Sequence, residues 1–241
     1  MADPLHQFEI TPIANTIEIA GYDISFTNSA LWMVIAAVAI YVFTAFGTRK
    51  QALVPGRWQA AVESSYEFLA NMVEENAGKE GRKFFPFVFT LFMFILFGNL
   101  LGLIPGSFTF TSHIIVTFAM AAVVFIGVTA VGIAKHGLHF FSFFVPHGVP
   151  AAMVPIMVPI EVISYLIRPF SLSIRLFVNM TAGHIMLKVF AGFVAAMGIF
   201  GILPLAMTVA FTGLEVVIAF LQAYVFTILS CMYLRDAIYL H

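Results

Sequence analysis

SLSIRLFVNMTAGHIMLKVF, residues 171–190, is long and apolar enough to read as membrane, yet Arg175 stands inside it. A guanidinium does not shed its proton, because its pKa lies above about 12. Placing one near a bilayer centre costs about 2.5–3.5 kcal/mol on insertion scales and roughly 10–17 in simulations. Such a residue faces protein or water rather than lipid tails, and it marks a functional position by default.

Working outward, the whole chain fits a membrane setting. It has 241 residues, is 61% hydrophobic and 10% charged, and has a mean hydropathy of +1.02. Soluble domains carry about 25% charged residues. Several apolar runs reach the ~20 residues that cross about 30 Å of hydrocarbon. The expected fold is therefore an all-α integral membrane protein with about five crossing helices, set in a lipid bilayer. A transmembrane barrel would instead show ~10-residue segments of alternating polarity. The net charge of −1 argues against a nucleic-acid partner. A single cysteine, Cys231, leaves no internal disulfide framework and reads as a small core residue.

Runs and charges divide the chain into one membrane domain, 1–241. Residues 1–25 read as an external polar tail with Asp3, Glu9, Glu18 and Asp23. No Lys or Arg precedes Arg49, which is unlike the basic start of a signal peptide. Residues 26–47 form the first span. Residues 48–83 hold Arg49, Lys50, Arg57, Lys79, Arg82 and Lys83. Within them Trp58, Ala61, Val62, Ser65, Phe68, Leu69 and Met72 recur at helical spacing, with Glu63, Glu67, Glu74 and Glu75 between. That pattern predicts an amphipathic helix on the inner membrane surface or against a partner helix. Residues 84–134 carry the second and third spans, Phe84–Leu103 and His113–Ala134, separated at Ile104, Pro105, Gly106 and Ser107. The loop from Lys135 to Pro150 has His136, His139 and His147, whose spacing is no zinc signature, so no metal is expected. Residues 149–240 read as a long, antiparallel helical hairpin, with Pro150, Pro155 and Pro159 near its start and Pro169 deeper. Both of its helices exceed a perpendicular span, so they must tilt or bend.

Lys and Arg in short loops orient such a chain. The 48–83 stretch, Lys135 and Arg235 fall on one side, whereas the tail and the loops near 104–112 and 198–203 have none. The N-terminus is thus expected outside and the C-terminus inside, with an odd number of crossings.

Beyond Lys83 the spans hold few ionisable groups: Glu161, Arg168, Arg175, His184, Lys188 and Glu215, with Arg235 and Asp236 near the end. In an antiparallel hairpin both helices rise about 1.5 Å per residue. A register that sets His184 opposite Glu215 also brings Arg175 level with Gln222, and Glu161 level with Arg235 and Asp236. Glu161 lies about 21 Å before Arg175 along a straight helix, and His184 about 13 Å beyond it. Asn179, Ser171 and Glu161 share the arginine's face, and Ser164 extends the Glu161 path. Titratable groups on either side of an untitratable cation suit two half-channels separated by a charge, not one continuous proton wire.

RPFSLSIRLFVNMTAGH (168–184) with LEVVIAFLQAYVFTIL (214–229), and GNLLGLIP (98–105), resembles subunit a of the F-type ATP synthases from about residue 25 to the end. The resemblance implies a stator subunit facing a rotating ring of small hairpin subunits, each with one mid-membrane carboxylate, and held by peripheral-stalk subunits. It implies that Arg175 is the proton-translocation arginine, that His184 and Glu215 form an outer half-channel pair, and that Glu161 belongs to the inner half-channel. Asn179 and Gln222 match the polar partners near the arginine. Many bacterial members carry Glu first and His second at the outer pair; here the order is reversed, as in mitochondrial-type members. A bacterial inner membrane is expected rather than an organellar one, with the proton as the transported ion and no cofactor. No GxxxxGK[ST] occurs, so no direct nucleotide binding by a P-loop is expected. The competing class is a self-contained proton-coupled secondary transporter, which would often show internal repeats and paired broken helices. A pure anchoring subunit is a third class, and it would not explain charges at three depths.

Overall fold

The computed structural model describes residues 9–13, 18–19, 22–23, 25–49, 55–104, 106–145 and 153–239. The expectations on Asp3, Lys50, Pro105, His147 and Pro150, and on the hairpin ends at 149–152 and 240, lie outside the described residues. In the N-terminal tail, two-residue strands β1 (Glu18–Ile19) and β2 (Tyr22–Asp23) pair antiparallel. Among the described residues every larger element is helical, and five stretches are long and apolar enough to cross a membrane.

The first of these, α1 (Asn28–Thr48), starts at Thr27, whose hydroxyl accepts from the Ala30 N–H at 3.3 Å. That bond satisfies one of the amide groups a helix start leaves without a partner. Helix α2 (Arg57–Gly81) follows and leads into α3 (Phe85–Gly102) through a 3-10 turn at Arg82–Phe84. It packs against α1, α3 and α6 (Ile202–Tyr239). Val62, Leu69, Met72, Val73 and Ala77 make its buried line, while Glu63, Glu67, Glu74 and Glu75 stay exposed. The expected apolar stripe is therefore rotated. Trp58, Ala61 and Phe68 lie on the open side of that line, because three helices, not a single partner, cover α2. Trp58 meets Phe43 of α1 edge-on, and Phe68 packs among Phe92, Phe220 and Tyr224. Near the end of α2, Gly78 has φ +73° and a Cβ there would lie 2.7 Å from the Tyr239 hydroxyl. Only glycine meets both the left-handed backbone and that approach.

Between α3 and α4 (Ile114–His136), residues 107–112 turn inward. Ser107, Phe108, Thr109, Phe110, Thr111 and Ser112 are all buried. Phe108 and Phe110 join Ala36 of α1 in a small apolar cluster, with Phe94 tilted against Phe110 at 5.3 Å between centroids. The segment acts as a plug wedged among helices.

After a 3-10 stretch at Gly137–Phe144 come α5 (Val154–Met197) and α6, antiparallel and in contact along their lengths. Their 44 and 38 residues extend about 66 and 57 Å, well beyond the ~30 Å of hydrocarbon, which requires strong tilt. Pro159 and Pro169 sit inside α5, where their missing N–H groups leave gaps in its hydrogen-bond ladder. The main core joins α2 to α6 through Leu69, Phe92, Val124, Leu176 and Phe226.

Candidate functional site

Charges inside this apolar frame group at three levels. The most buried lies between α5 and α6, where His184 and Glu215 are 5% and 3% exposed. His184 Nδ1 stands 3.6 Å from Glu215 Oε1. Both carboxylate oxygens of Glu215 are buried without a hydrogen-bond partner among the described residues. One exchangeable proton keeps the pair net neutral, either on the carboxyl or on the imidazole. Losing it or gaining a second leaves an uncompensated charge away from water. The carboxylate fits because residue 183 is glycine: a Cβ there would lie 2.6 Å from Glu215 Oε1.

Small polar residues from other helices complete this level. Thr109, in the plug, contacts His184 Nε2 at 3.0 Å and donates its hydroxyl to Gly102 O at 3.1 Å. Asn99 of α3 is fully buried and donates to Ala219 O of α6 at 3.3 Å, with its Oδ1 left without a partner among the described residues. Nearer the arginine level, Thr117 of α4 and Ser173 of α5 share a hydrogen bond of 3.1 Å, both fully buried. None of these four was picked out as a site residue from sequence, although GNLLGLIP contains Asn99. The available signal was an amide standing alone in an apolar run.

The second level is Arg175. The side chain lies on the exposed face of α5, in line with Ile167, Ser171, Ile174 and Val178. Its guanidinium donates no hydrogen bond to, and forms no ion pair with, any of the described residues. Asn179, one turn further along α5, and Gln222 of α6 are half-buried, and no hydrogen bond joins either to Arg175. Ser164 and Ser171 are exposed on the same side of α5, and Glu161 is half-buried further along.

At the third level the expected register shifts. Asp236 Oδ2 accepts from Arg168 Nη1 at 3.0 Å, two turns along α5 from Glu161, the residue expected at its level. The guanidinium of Arg168 also lies over the rings of Tyr233, Tyr165 and Phe143 at 4.9, 5.3 and 5.7 Å. Straight, aligned rods would keep one register from end to end. Long crossing helices do not, and a cation enclosed by three rings is the better-placed partner for the acid. Tyr165 in turn shares a 2.7 Å hydrogen bond with Thr129 of α4. Beside this clasp, Lys135 pairs with Glu80, and His136 Nε2 lies 3.0 Å from Ile238 O, so the ends of α2, α4 and α6 are tied together. Cys231 is buried in the core.

These features define a polytopic all-α membrane protein whose last two helices carry a buried acid–imidazole pair and an outward-facing arginine. The family model described as ATP synthase A chain matches residues 30–235. The chain belongs to that family. It is 56% identical to ATP synthase subunit a of Paramagnetospirillum magneticum, over 100% of both chains. It is 58% identical to ATP synthase subunit a of Parvibaculum lavamentivorans, over 98% of this chain and 94% of the relative. Its identity to ATP synthase subunit a of Rhodospirillum rubrum is 54%, again over 100% of both.

Proposed function

We propose that this chain is the membrane stator subunit of a rotary F-type ATP synthase in a bacterial inner membrane. It forms two offset aqueous half-channels that load and unload protons on the carboxylates of a rotating ring of hairpin subunits. Peripheral-stalk subunits hold it against rotation. The observation that carries this reading is the position of Arg175: exposed on an apolar helix face, with no ion pair to it among the described residues. A guanidinium facing only lipid tails would be strongly disfavoured, so that face suits a partner that brings a carboxylate. The bare apolar neighbours Ile167, Ile174 and Val178, with Leu214, Val217 and Leu221 of α6, supply the sliding surface.

The roles divide by level. His184 and Glu215, with Asn179 and Gln222, serve the outer half-channel; Glu161, Ser164 and Ser171 serve the inner one. An opposite charge nearby favours the ionised form of a carboxylate, so Arg175 helps strip the proton from each arriving ring subunit. The same charge repels protons that would pass directly between the half-channels. The N-terminus lies outside and the C-terminus inside.

Cysteine cross-linking tests the docking face. A cysteine at Ile174 or Val178 should form a disulfide with a cysteine placed beside the ring carboxylate, and one at Val124 in the core should not. Cross-links from the α1 face at Val34 or Val38, with none from Ile174, would overturn the assignment.

A further inference from the structure

We propose that Thr109 is a positioning residue that holds His184 as its Nε2–H tautomer, so that the ring exchanges protons only at Nδ1, the nitrogen facing Glu215. This rests on the reading of His184 and Glu215 as a proton relay and brings a residue from the buried plug into it. A hydroxyl has one proton to donate. Thr109 Oγ1 lies 3.1 Å from Gly102 O and 3.0 Å from His184 Nε2. A carbonyl oxygen only accepts, so both contacts are hydrogen bonds in one arrangement: Thr109 donates to Gly102 O and accepts from Nε2–H. Nδ1 then carries the lone pair of the neutral ring, 3.6 Å from Glu215 Oε1.

The plug is built to keep Thr109 there. Thr109 is 2% exposed. Ser112 Oγ donates to Thr109 O at 2.6 Å, and Thr181 of α5 donates to Ser112 O at 3.3 Å. A Cβ on Gly102 would lie 2.5 Å from Thr109 Oγ1, so the approach depends on that glycine.

The chemistry follows from the fixed tautomer. An arriving proton adds to Nδ1 and gives the imidazolium. Nε2–H stays committed to Thr109, so the Nδ1–H bond is the one that breaks as an O–H bond forms on Glu215. A separation of 3.6 Å is longer than a hydrogen bond, so transfer uses a small side-chain shift or one bridging water. Each cycle returns the same tautomer, with no ring flip.

The test uses the intact complex in liposomes, with 15N-labelled histidine for solid-state NMR and a pH-sensitive dye for proton flux. His184 is assigned by difference against His184→Gln. The parent should show neutral His184 protonated at Nε2. Thr109→Val should lose the single tautomer and cut flux about tenfold, the size of one hydrogen bond in a rate-limiting transfer. Thr109→Ser should restore both, and Gly102→Ala should behave as Thr109→Val. An Nδ1-protonated ring in the parent overturns the proposal whatever the variants do. Parental flux in Thr109→Val, with flux blocked in His184→Ala, overturns it and leaves the relay intact. Equal loss in Thr109→Ser and Thr109→Val marks a merely structural hydroxyl and also overturns it. Parental flux in both Thr109→Val and His184→Ala removes the relay reading and this proposal together.

Discussion

Gly183 decides how close α6 can bring an acid to His184. A methyl group there would sit 2.6 Å from Oε1 and 3.0 Å from Cδ of Glu215. Overpacking of this kind costs about 1–3 kcal/mol, and here it displaces the carboxylate itself. Gly183→Ala should therefore slow proton flux through the reconstituted complex about tenfold or more. Gly192→Ala, where nothing lies within 4 Å, is the matched control and should match the parent. Equal flux in the two variants would show that the carboxylate's position does not matter. At this scale the sequence is legible where charge stands out: the expected pairing of His184 with Glu215 is found, because two ionisable groups in apolar helices have few places to hide from lipid. Thr109 and Thr117 are not legible in the same way. Threonine is common in loops and tolerated in apolar helices, and only packing shows which hydroxyls point inward.

At the scale of elements, α2 and the hairpin show what periodicity conveys and what it leaves open. Helical spacing in 57–81 reveals a helix, but its buried line depends on how many neighbours cover it, so Trp58 and Phe68 fall outside that line. The hairpin register holds at His184–Glu215 and slips at the other end, where Asp236 takes Arg168 instead of the level of Glu161. Asp236 thus occupies Arg168, and among the described residues no ion pair joins Glu161 to Arg168 or Arg235. The Arg168–Asp236 pair, 20% and 29% exposed at its side chains, is a clasp between α5 and α6. Asp236→Asn removes the charged acceptor from a cation held among three rings. Partial exposure limits the loss to about 1–2 kcal/mol, or a fall of about 2–8 °C in the melting of the solubilised complex. An unchanged melting curve would contradict the clasp.

At the scale of the whole molecule, the polar ends of α2, α4 and α6 gather at one pole, through Lys135 with Glu80 and His136 with Ile238 O. Lys79, Arg82 and Lys83 stand at that end of α2, and the topology proposed from the Lys/Arg asymmetry puts this pole inside. A cysteine at Ile10 should react with an impermeant thiol reagent only from outside, and one at Lys79 only from inside. Labelling of both from one side would overturn the topology. The membrane class and the number of crossing helices are legible from composition and run length alone, since both depend only on hydrocarbon thickness. The inward tuck of residues 107–112 is not, because a polar loop and a polar plug share one composition.

The central claim is that Arg175 separates two half-channels and acts on a partner's carboxylate. Arg175→Lys keeps a charge but loses the planar fork and some reach, and Arg175→Ala removes the charge. The measurement is ATP synthesis and passive proton leak by the assembled complex in liposomes under an imposed proton gradient. Both variants should assemble and fail in coupled synthesis, and Arg175→Ala should leak protons through the membrane motor at least as fast as the parent. Near-normal ATP synthesis by Arg175→Ala, or loss of synthesis only through loss of assembly, would contradict the account.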